Sequence, residues 1–495
     1  MTPQNKESSS YRSIFKATSL FGGVQAYQIL IELIKSKFVA ILLGPAGVGI
    51  SGLYTSATTL VQQLTNFGLS SSAVRNVSEA NGTGDQNRIS RVITALRRLV
   101  WITGLLGMVA VMVFSPLLSK TSFGDSQHIL PFIIISVTLL LNQLSAGQKV
   151  ILQGTRKLKY LAKSSTYGIT IGLFVSIPLY YFFGVKGIVP NIIIGSLTAF
   201  LLTWYFSRKV EVKKVQMNTR EVFAEGKTML TLGIAMSITT ILASASSYAL
   251  RGYIRLLDSV EAVGLFTLGF TLMNQYTGLV FSAMSTDFYP RLSAVNNDNS
   301  KCKDIVNKQN EIGILILSPM LSLCIIFISL VIKILASDKF LPITGYMVWA
   351  AWGILFKVAS WSIGYIFLAK AESKLYMITE IVTCIYTFIL SIIGYKYIGL
   401  TGIGLASAVS LIVYLLMVYI IAKKRYQFSF ERSFVFLFLV QLVLISACVA
   451  CVYLLPSLWK YIIGSFLVLI SCYFSLVELN KRLDINSILQ KKRRS

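Results

Sequence analysis

Residues 17–75 read ATSLFGGVQAYQILIELIKSKFVAILLGPAGVGISGLYTSATTLVQQLTNFGLSSSAVR, two long apolar runs joined by Leu43-Gly44-Pro45-Ala46-Gly47-Val48-Gly49. Each run is long enough to cross a bilayer, which takes about 20 apolar residues. The first nonetheless carries Glu32, Lys35 and Lys37 in its outer half. An ionised side chain near the middle of a spanning helix costs ~2.5–3.5 kcal/mol, so such residues usually face protein or a wet cavity. Gln25, Gln28, Glu32 and Lys35 step by three, four and three, which places them on one helical face. Ser51, Thr55, Thr59, Gln62, Asn66 and Ser70 form a matching stripe on the second run. Two spanning helices, each with one wet face, predict an aqueous groove inside the membrane. Interhelical hydrogen bonding accounts equally well for the Ser/Thr/Gln stripe.

The rest of the chain extends this pattern. Of 495 residues, 55% are hydrophobic and only 13% charged, with a mean hydropathy of +0.69. A soluble protein carries nearly twice that charge. Apolar runs of spanning length recur at 17–43, 49–74, 99–118, 129–152, 164–184, 187–207, 228–251, 262–286, 312–336, 344–369, 375–395, 400–422, 434–455 and 461–479. The expected fold is therefore all-α and polytopic, with about 14 transmembrane helices. The first sixteen residues are polar and hold no apolar core of a cleaved signal, so the first run itself is expected to direct insertion.

The net charge of +26 is not one nucleic-acid-binding patch. Of the 46 basic residues, 34 lie at the N-terminus, after even-numbered runs, or at the C-terminus, as the positive-inside rule requires. Both termini are expected to be cytoplasmic, with Lys491-Lys492-Arg493-Arg494 at the anionic inner leaflet. All connecting segments are short, so no catalytic head is attached.

Internal repetition organises the runs. Ala46-Gly47-Val48-Gly49-Ile50 is echoed by Glu261-Ala262-Val263-Gly264-Leu265, 215 residues later. Gly184-Val185-Lys186-Gly187-Ile188 is echoed by Gly399-Leu400-Thr401-Gly402-Ile403 at the same offset. The expected organisation is an N-lobe at 1–215, a C-lobe at 216–430, and two appended crossings with a basic tail at 431–495. Six crossings per repeat give both lobes the same orientation, an arrangement common in alternating-access transporters.

Several motifs match only by letter. Gly47-Val48-Gly49-Ile50-Ser51-Gly52 fits a dinucleotide-binding glycine pattern, but it follows a membrane run rather than a strand and reads as a tight turn. No Walker lysine follows any glycine loop. Cys448 and Cys451 make a CxxC with no second pair, and the sole histidine, His128, lies far away in a loop, so no metal site is expected.

The embedded charges carry more information. Thr240, Ser244, Ser247 and Arg251 share one face of the seventh run, followed by Arg255. At the repeat offset Arg251 falls between Lys35 and Lys37, so both lobes carry cations at one depth. Lys149 and Lys357 are also embedded, whereas the acids are fewer: Glu32, Glu380 and Asp287. Lys37 and Arg255 stand near the boundary, where snorkelling also explains them. Glu32 and Lys35 are spaced to pair with each other. A groove whose fixed charges are mainly cationic favours an anionic cargo, with diphosphate the obvious candidate. Trp349, Trp352 and Trp361 could stack on sugars or serve as core.

Together, the Ala40–Gly49 turn after a polar-faced first run, the paired six-helix lobes and the two extra C-terminal runs resemble the polysaccharide-transporter branch of the multidrug/oligosaccharidyl-lipid/polysaccharide exporter superfamily. The resemblance is nearest to the O-antigen translocases of Gram-negative bacteria. It implies a V-shaped bundle whose cavity is lined chiefly by the first, second, seventh and eighth runs. It also implies flipping of undecaprenyl-diphosphate-linked sugar repeat units across the inner membrane. A polysaccharide polymerase and a chain-length regulator would be its protein partners, and no nucleic acid would be involved.

The residues expected to hold substrate are Lys35, Lys37, Arg251, Arg255, Lys149, Lys357, Gln28, Gln62 and Asn66. Glu32, Glu380 and Asp287 are the candidates for coupling to a proton or Na+ gradient, with no other cofactor. Capsule or exopolysaccharide export, lipid II flipping and drug/cation antiport are the neighbouring readings. An O-antigen polymerase is the rival from the enzyme class, and the short outer loops count against it.

Overall fold

The computed structural model describes residues 3–213 and 215–483, with side chains from residue 24 onward except at 26, 235, 276, 279, 283, 286, 287 and 483. The basic tail at Lys491–Arg494 and the side chain of Asp287 therefore lie outside the described residues. Among the described residues the chain is helical, without a strand. It divides into two compact units, Met1–Gly264 and Leu265–Ser495.

In the first unit α1 (Pro3–Thr65) contains the first two expected crossings, and α2 (Leu69–Gly82) follows as a separate helix. The third crossing is α3 (Gln86–Phe123). The fourth is divided into α4 (Ile129–Ile135) and α5 (Val137–Gly154). Then come α6 (Leu158–Phe183), α7 (Ile188–Ser207) and α8 (Thr219–Leu257). Helix α9 (Val260–Ala294) begins in the first unit and continues into the second. The second unit holds α10 (Asn299–Leu335), α11 (Thr344–Ala369), α12 (Ser373–Ile398), α13 (Leu400–Tyr426), α14 (Arg432–Leu454) and α15 (Ser457–Leu483). Each of the fourteen expected crossings is thus matched by helix. Nine stretches among the described residues are long and apolar enough to cross a membrane, and one of them, Leu158–Ser207, contains two expected crossings.

Two boundaries differ from the sequence expectation. The tight turn expected at Gly47–Gly52 is helix, and the only break in the Leu43–Gly49 join is Gly44, with φ 65° and ψ −175°. Glycine adopts that positive φ without a Cβ penalty, and Pro45 can restart a helix because its missing N–H would have no partner there anyway. Gly47 and Gly49 are consequently helical. The second crossing ends at Thr65 rather than residue 74. Phe67 and Gly68 take φ of 49° and 64°, and α2 starts afresh at Leu69.

The smallness of Gly49 serves packing instead. A Cβ on Gly49 would lie 2.0 Å from the Val260 carbonyl oxygen, and one on Gly264 would lie 1.8 Å from the Pro45 carbonyl oxygen. The two glycines that mark the repeat are therefore the point where α1 and α9 cross backbone to backbone.

The repeat recurs in the helix ends. Arg156 and Ala371 both have positive φ, 56° and 59°. The following amides reach back alike, Lys157 N to the Leu152 carbonyl and Glu372 N to the Phe367 carbonyl, each at 2.8 Å. Gly184 and Gly399 end α6 and α12 with φ of 53° and 65°.

Each unit has its own apolar core. Leu69, Val77, Ile93, Leu96, Ile151 and Phe206 join α2, α3, α5 and α7 in the first. Phe288, Val306, Ile363, Phe367 and Val418 do the same in the second. Asp298 caps α10 by accepting from the amides of Ser300 and Lys301 at 3.0 and 3.1 Å. The Lys301 amide foremost holds its carboxyl below the usual carboxylate range.

Candidate functional site

Each unit places embedded cations among polar and aromatic side chains, and the surroundings differ. In the first unit, Gln28, Glu32 and Lys35 on α1 are half-buried, while Lys37 is exposed. The shared face predicted from their spacing is thus at least partly enclosed. Tyr27, one residue before Gln28, bonds through its hydroxyl to Thr170 Oγ1 on α6 at 2.8 Å, which pins this part of α1. No ion pair joins Glu32 to Lys35 among the described residues.

Arg251 on α8 is buried, with 6% of its surface exposed. Its Nη1 donates to the Ser247 carbonyl one turn earlier at 3.1 Å and also to Ser247 Oγ. The three- and four-residue spacing of the seventh run explains this contact directly, because i and i−4 side chains meet on a helix. Arg255, one turn on, lies over the end of α3. A Cβ on Gly124 would come within 2.1 Å of Arg255 Nη1, so the φ of +78° and the absent side chain there make room for the guanidinium. Tyr248 reinforces the same α3–α8 seam, its hydroxyl 2.6 Å from Thr121 Oγ1 and 3.1 Å from Ser122 Oγ.

Next to that seam lies a cluster that the sequence reading missed. The His128 ring stacks on Phe123 at 3.6 Å, and its Nδ1 is 2.5 Å from the Tyr54 hydroxyl. Tyr54 packs in turn against Phe132 at 5.1 Å. Burial pushes the His128 imidazole below its usual value, with Asp125 opposing that shift and Arg255 adding to it. The residues lie in α1, α3, α4 and a loop, so no sequence periodicity could have joined them.

The remaining candidates of this unit are dispersed. Gln62 is half-buried. Asn66 is buried and serves the break between α1 and α2, accepting from Gly68 N at 2.7 Å and donating to Gln63 Oε1 at 3.3 Å. On α5 the inward polar positions are Gln143 and Ser145, bonded to Thr103 Oγ1 at 2.9 Å and Thr203 Oγ1 at 3.1 Å. Lys149 is exposed, although the sequence spacing aligned it with Ser145.

In the second unit, α9, α11, α12 and α13 line a cavity of about 170 Å³ whose lining includes Lys357, Asn274, Thr277, Thr383 and Ser410. Lys357 Nζ sits 5.1 Å from the Phe281 ring centroid, an attractive cation–π placement. Glu380 on α12 accepts from the Tyr414 hydroxyl on α13 at 2.8 Å and lies within range of the Lys357 charge. Sequence spacing alone offered no link between Lys357 and Glu380. The cavity lining offers one cation, one amide and several hydroxyls to a polar guest, and Glu380 is not among the lining residues.

The tryptophans near this cavity are engaged with the protein. Trp352 Nε1 donates to Ser446 Oγ on α14 at 3.0 Å. Trp349 packs on Trp352 at 5.9 Å, and Trp361 on Phe281 at 5.4 Å. No group of three His, Cys, Asp or Glu side chains that could hold a metal occurs among the described residues.

With this geometry in hand, comparison with known proteins is informative. The profile of the family described as "Polysaccharide biosynthesis protein" matches residues 38–344. The lipid III flippase of Escherichia coli (strain K12) is 20% identical over 378 residues, covering 74% of this chain and 88% of that protein. Stage V sporulation protein B of Bacillus subtilis (strain 168) is 18% identical over 218 residues, or 43% of this chain and 42% of the relative. Among solved structures, an inward closed lipid II flippase MurJ superposes with a TM-score of 0.67 at 16% identity, covering 94% of this chain and 99% of that one. An inward-facing multidrug transporter of the MATE family and MOP superfamily also reaches 0.67, at 15% identity and 81% and 94% coverage. These structural likenesses establish the fold.

Proposed function

Because the chain belongs to the polysaccharide biosynthesis protein family, we propose that it is a flippase for undecaprenyl-diphosphate-linked O-antigen repeat units. It would act in the bacterial inner membrane by ion-coupled alternating access, with both termini cytoplasmic. The observation that carries the reading is the enclosure of cations within membrane helices, Arg251 buried on α8 and Lys357 in a polar cavity on α11. Charges held in such places are functional by default, since hydrocarbon does not tolerate them cheaply. They suit a diphosphate and oppose a cationic drug. The curated relative named as a lipid III flippase supports a lipid-borne cargo.

Lys35 and Arg251 of the first unit hold the anionic part of the substrate, and Lys357 is the separate candidate of the second unit in this reading. Glu32 and the Tyr414-bonded Glu380 are its candidates for proton or Na+ exchange. No catalytic step is assigned to the chain.

Gene deletion in the host tests this. The expected outcome is loss of surface O-antigen, with complete lipid-linked repeat units trapped at the inner face. Lys35→Ala and Arg251→Ala should fail to rescue. Normal surface glycan with dyes or drugs accumulating in the cell would replace the flippase with an antiporter. Single units that reach the outer face but stay unpolymerised would indicate a polymerase.

A further inference from the structure

Away from these sites, α3 and α7 both pack on α5, which forms the floor of a groove between them. At one end of the groove a cavity of about 280 Å³ is lined by Arg97 and Trp101 of α3, Gly147 and Gln148 of α5, and Trp204 and Arg208 of α7. Arg208 stacks its guanidinium 4.2 Å above the Trp204 ring. Ser207 donates to Gln148 Oε1 at 2.6 Å, so the polar floor is already oriented. Among the described residues no carboxylate pairs with Arg97 or Arg208, although the two lie within range of each other's charge. Two like charges held together without an acid are relieved by an anion between them. Guanidinium forks suit phosphate oxygens in particular.

The groove's surface beyond the arginines is apolar. Trp101 is 50% exposed and Trp204 39%, the amphipathic ring expected at headgroup level. One turn further, Leu105 on α3 and Leu201 on α7 are exposed as well, and a second turn on so is Leu197. A ligand that satisfies both parts has a phosphate at one end and a hydrocarbon tail at the other.

We propose that this groove is a binding site for the phosphate headgroup of an anionic glycerophospholipid, with Arg97 and Arg208 on the phosphate and the acyl chain along Leu105 and Leu201. The site is separate from the substrate residues above, and its test does not require the flippase reading to hold.

Tryptophan emission of the purified full chain in neutral detergent reports occupancy, because a brominated acyl chain quenches only nearby indoles. Brominated phosphatidylglycerol should quench at concentrations about tenfold lower than brominated phosphatidylcholine, a difference of about 1.4 kcal/mol. Arg97→Gln/Arg208→Gln should remove that preference, with an unchanged far-ultraviolet circular dichroism spectrum confirming the fold. The more exposed Arg208→Gln alone serves if the double variant does not fold. Trp101→Phe/Trp204→Phe should remove the preferential quenching, which locates it. Equal quenching by the two lipids, or a preference that survives loss of the arginines, overturns the proposal. Displacement of the lipid by millimolar inorganic phosphate overturns it in favour of a soluble phosphate site.

Discussion

Arg482→Met is expected to loosen the last helix by an amount the structure allows us to bound. Arg482, on the last turn of α15, donates Nε to Glu311 Oε2 on α10 at 2.7 Å. It also donates Nη1 to Glu478 Oε2 at 2.5 Å and Nη2 to Ser433 Oγ on α14 at 2.9 Å. One guanidinium therefore ties three helices. The Arg482 and Glu311 side chains are 22% and 11% exposed, so the pair is largely withdrawn from water. Methionine keeps most of the apolar stem and removes the fork. Glu478 still has Lys481 at 2.7 Å, which leaves Glu311 as the one carboxylate losing its cation.

Removing one partner of a buried ion pair costs ~3–5 kcal/mol, and the residual exposure here argues for the lower end, about 3 kcal/mol. At about 2–4 °C per kcal/mol for a unit of this size, the melting temperature should fall by roughly 6–12 °C. Glu311→Gln removes the stranded charge, so the double variant should recover about 1.5–2 kcal/mol relative to simple additivity. The assay is thermal melting in one detergent for the four proteins of the cycle. A drop below about 2 °C for Arg482→Met, or strictly additive single effects, would refute the claim that this network docks α15.

Four further outcomes are expected. Gly49→Ala should destabilise by ~1–3 kcal/mol because its methyl would press on the Val260 carbonyl at 2.0 Å. Gly172→Ala on α6, where a Cβ meets nothing within 4 Å, should be neutral or slightly stabilising in the same melts. Acidification should loosen the His128 cluster. Its folded-state pKa is lowered by burial, so its contribution is present above the unfolded value of about 6.5 and is lost as pH falls below it through the folded value. Melting at pH 7.5 and 5.5 should therefore differ less in His128→Gln than in the parent. Finally, Lys357→Met should lower transport of lipid-linked glycan at least about tenfold, with Lys357→Arg retaining part of it, if the cation holds a phosphate rather than only its Phe281 contact.

The fold was legible because the membrane leaves few alternatives. Backbone groups in hydrocarbon must be satisfied internally, so each apolar run of crossing length becomes a helix. Gly49 and Gly264, which echo each other in the sequence, meet where α1 crosses α9, whereas the tight turn expected at Gly47–Gly52 is helix. Letter patterns suggest a turn wherever glycines cluster, whereas here one glycine bends the chain and the next admits another backbone. Similar limits apply to the site residues. Spacing placed Arg251 and Ser247 on one helical face, and the contact between them is local to that helix. It did not foretell that Lys149 is exposed or that Asn66 serves a chain break, since burial depends on which helices pack beside each residue.

By itself, then, the amino-acid sequence determined the helical class, where the apolar helices run and which of them carry ionisable groups. Hydrophobic length, charge placement and periodicity are properties of single segments. Tertiary structure alone decided that Glu380 accepts from Tyr414, that His128 rests on Phe123 and Tyr54, and that Arg97 and Arg208 line one cavity with no carboxylate paired to either among the described residues. Those juxtapositions join residues distant along the chain. Only the packing of one helix on another brings them within a few ångströms.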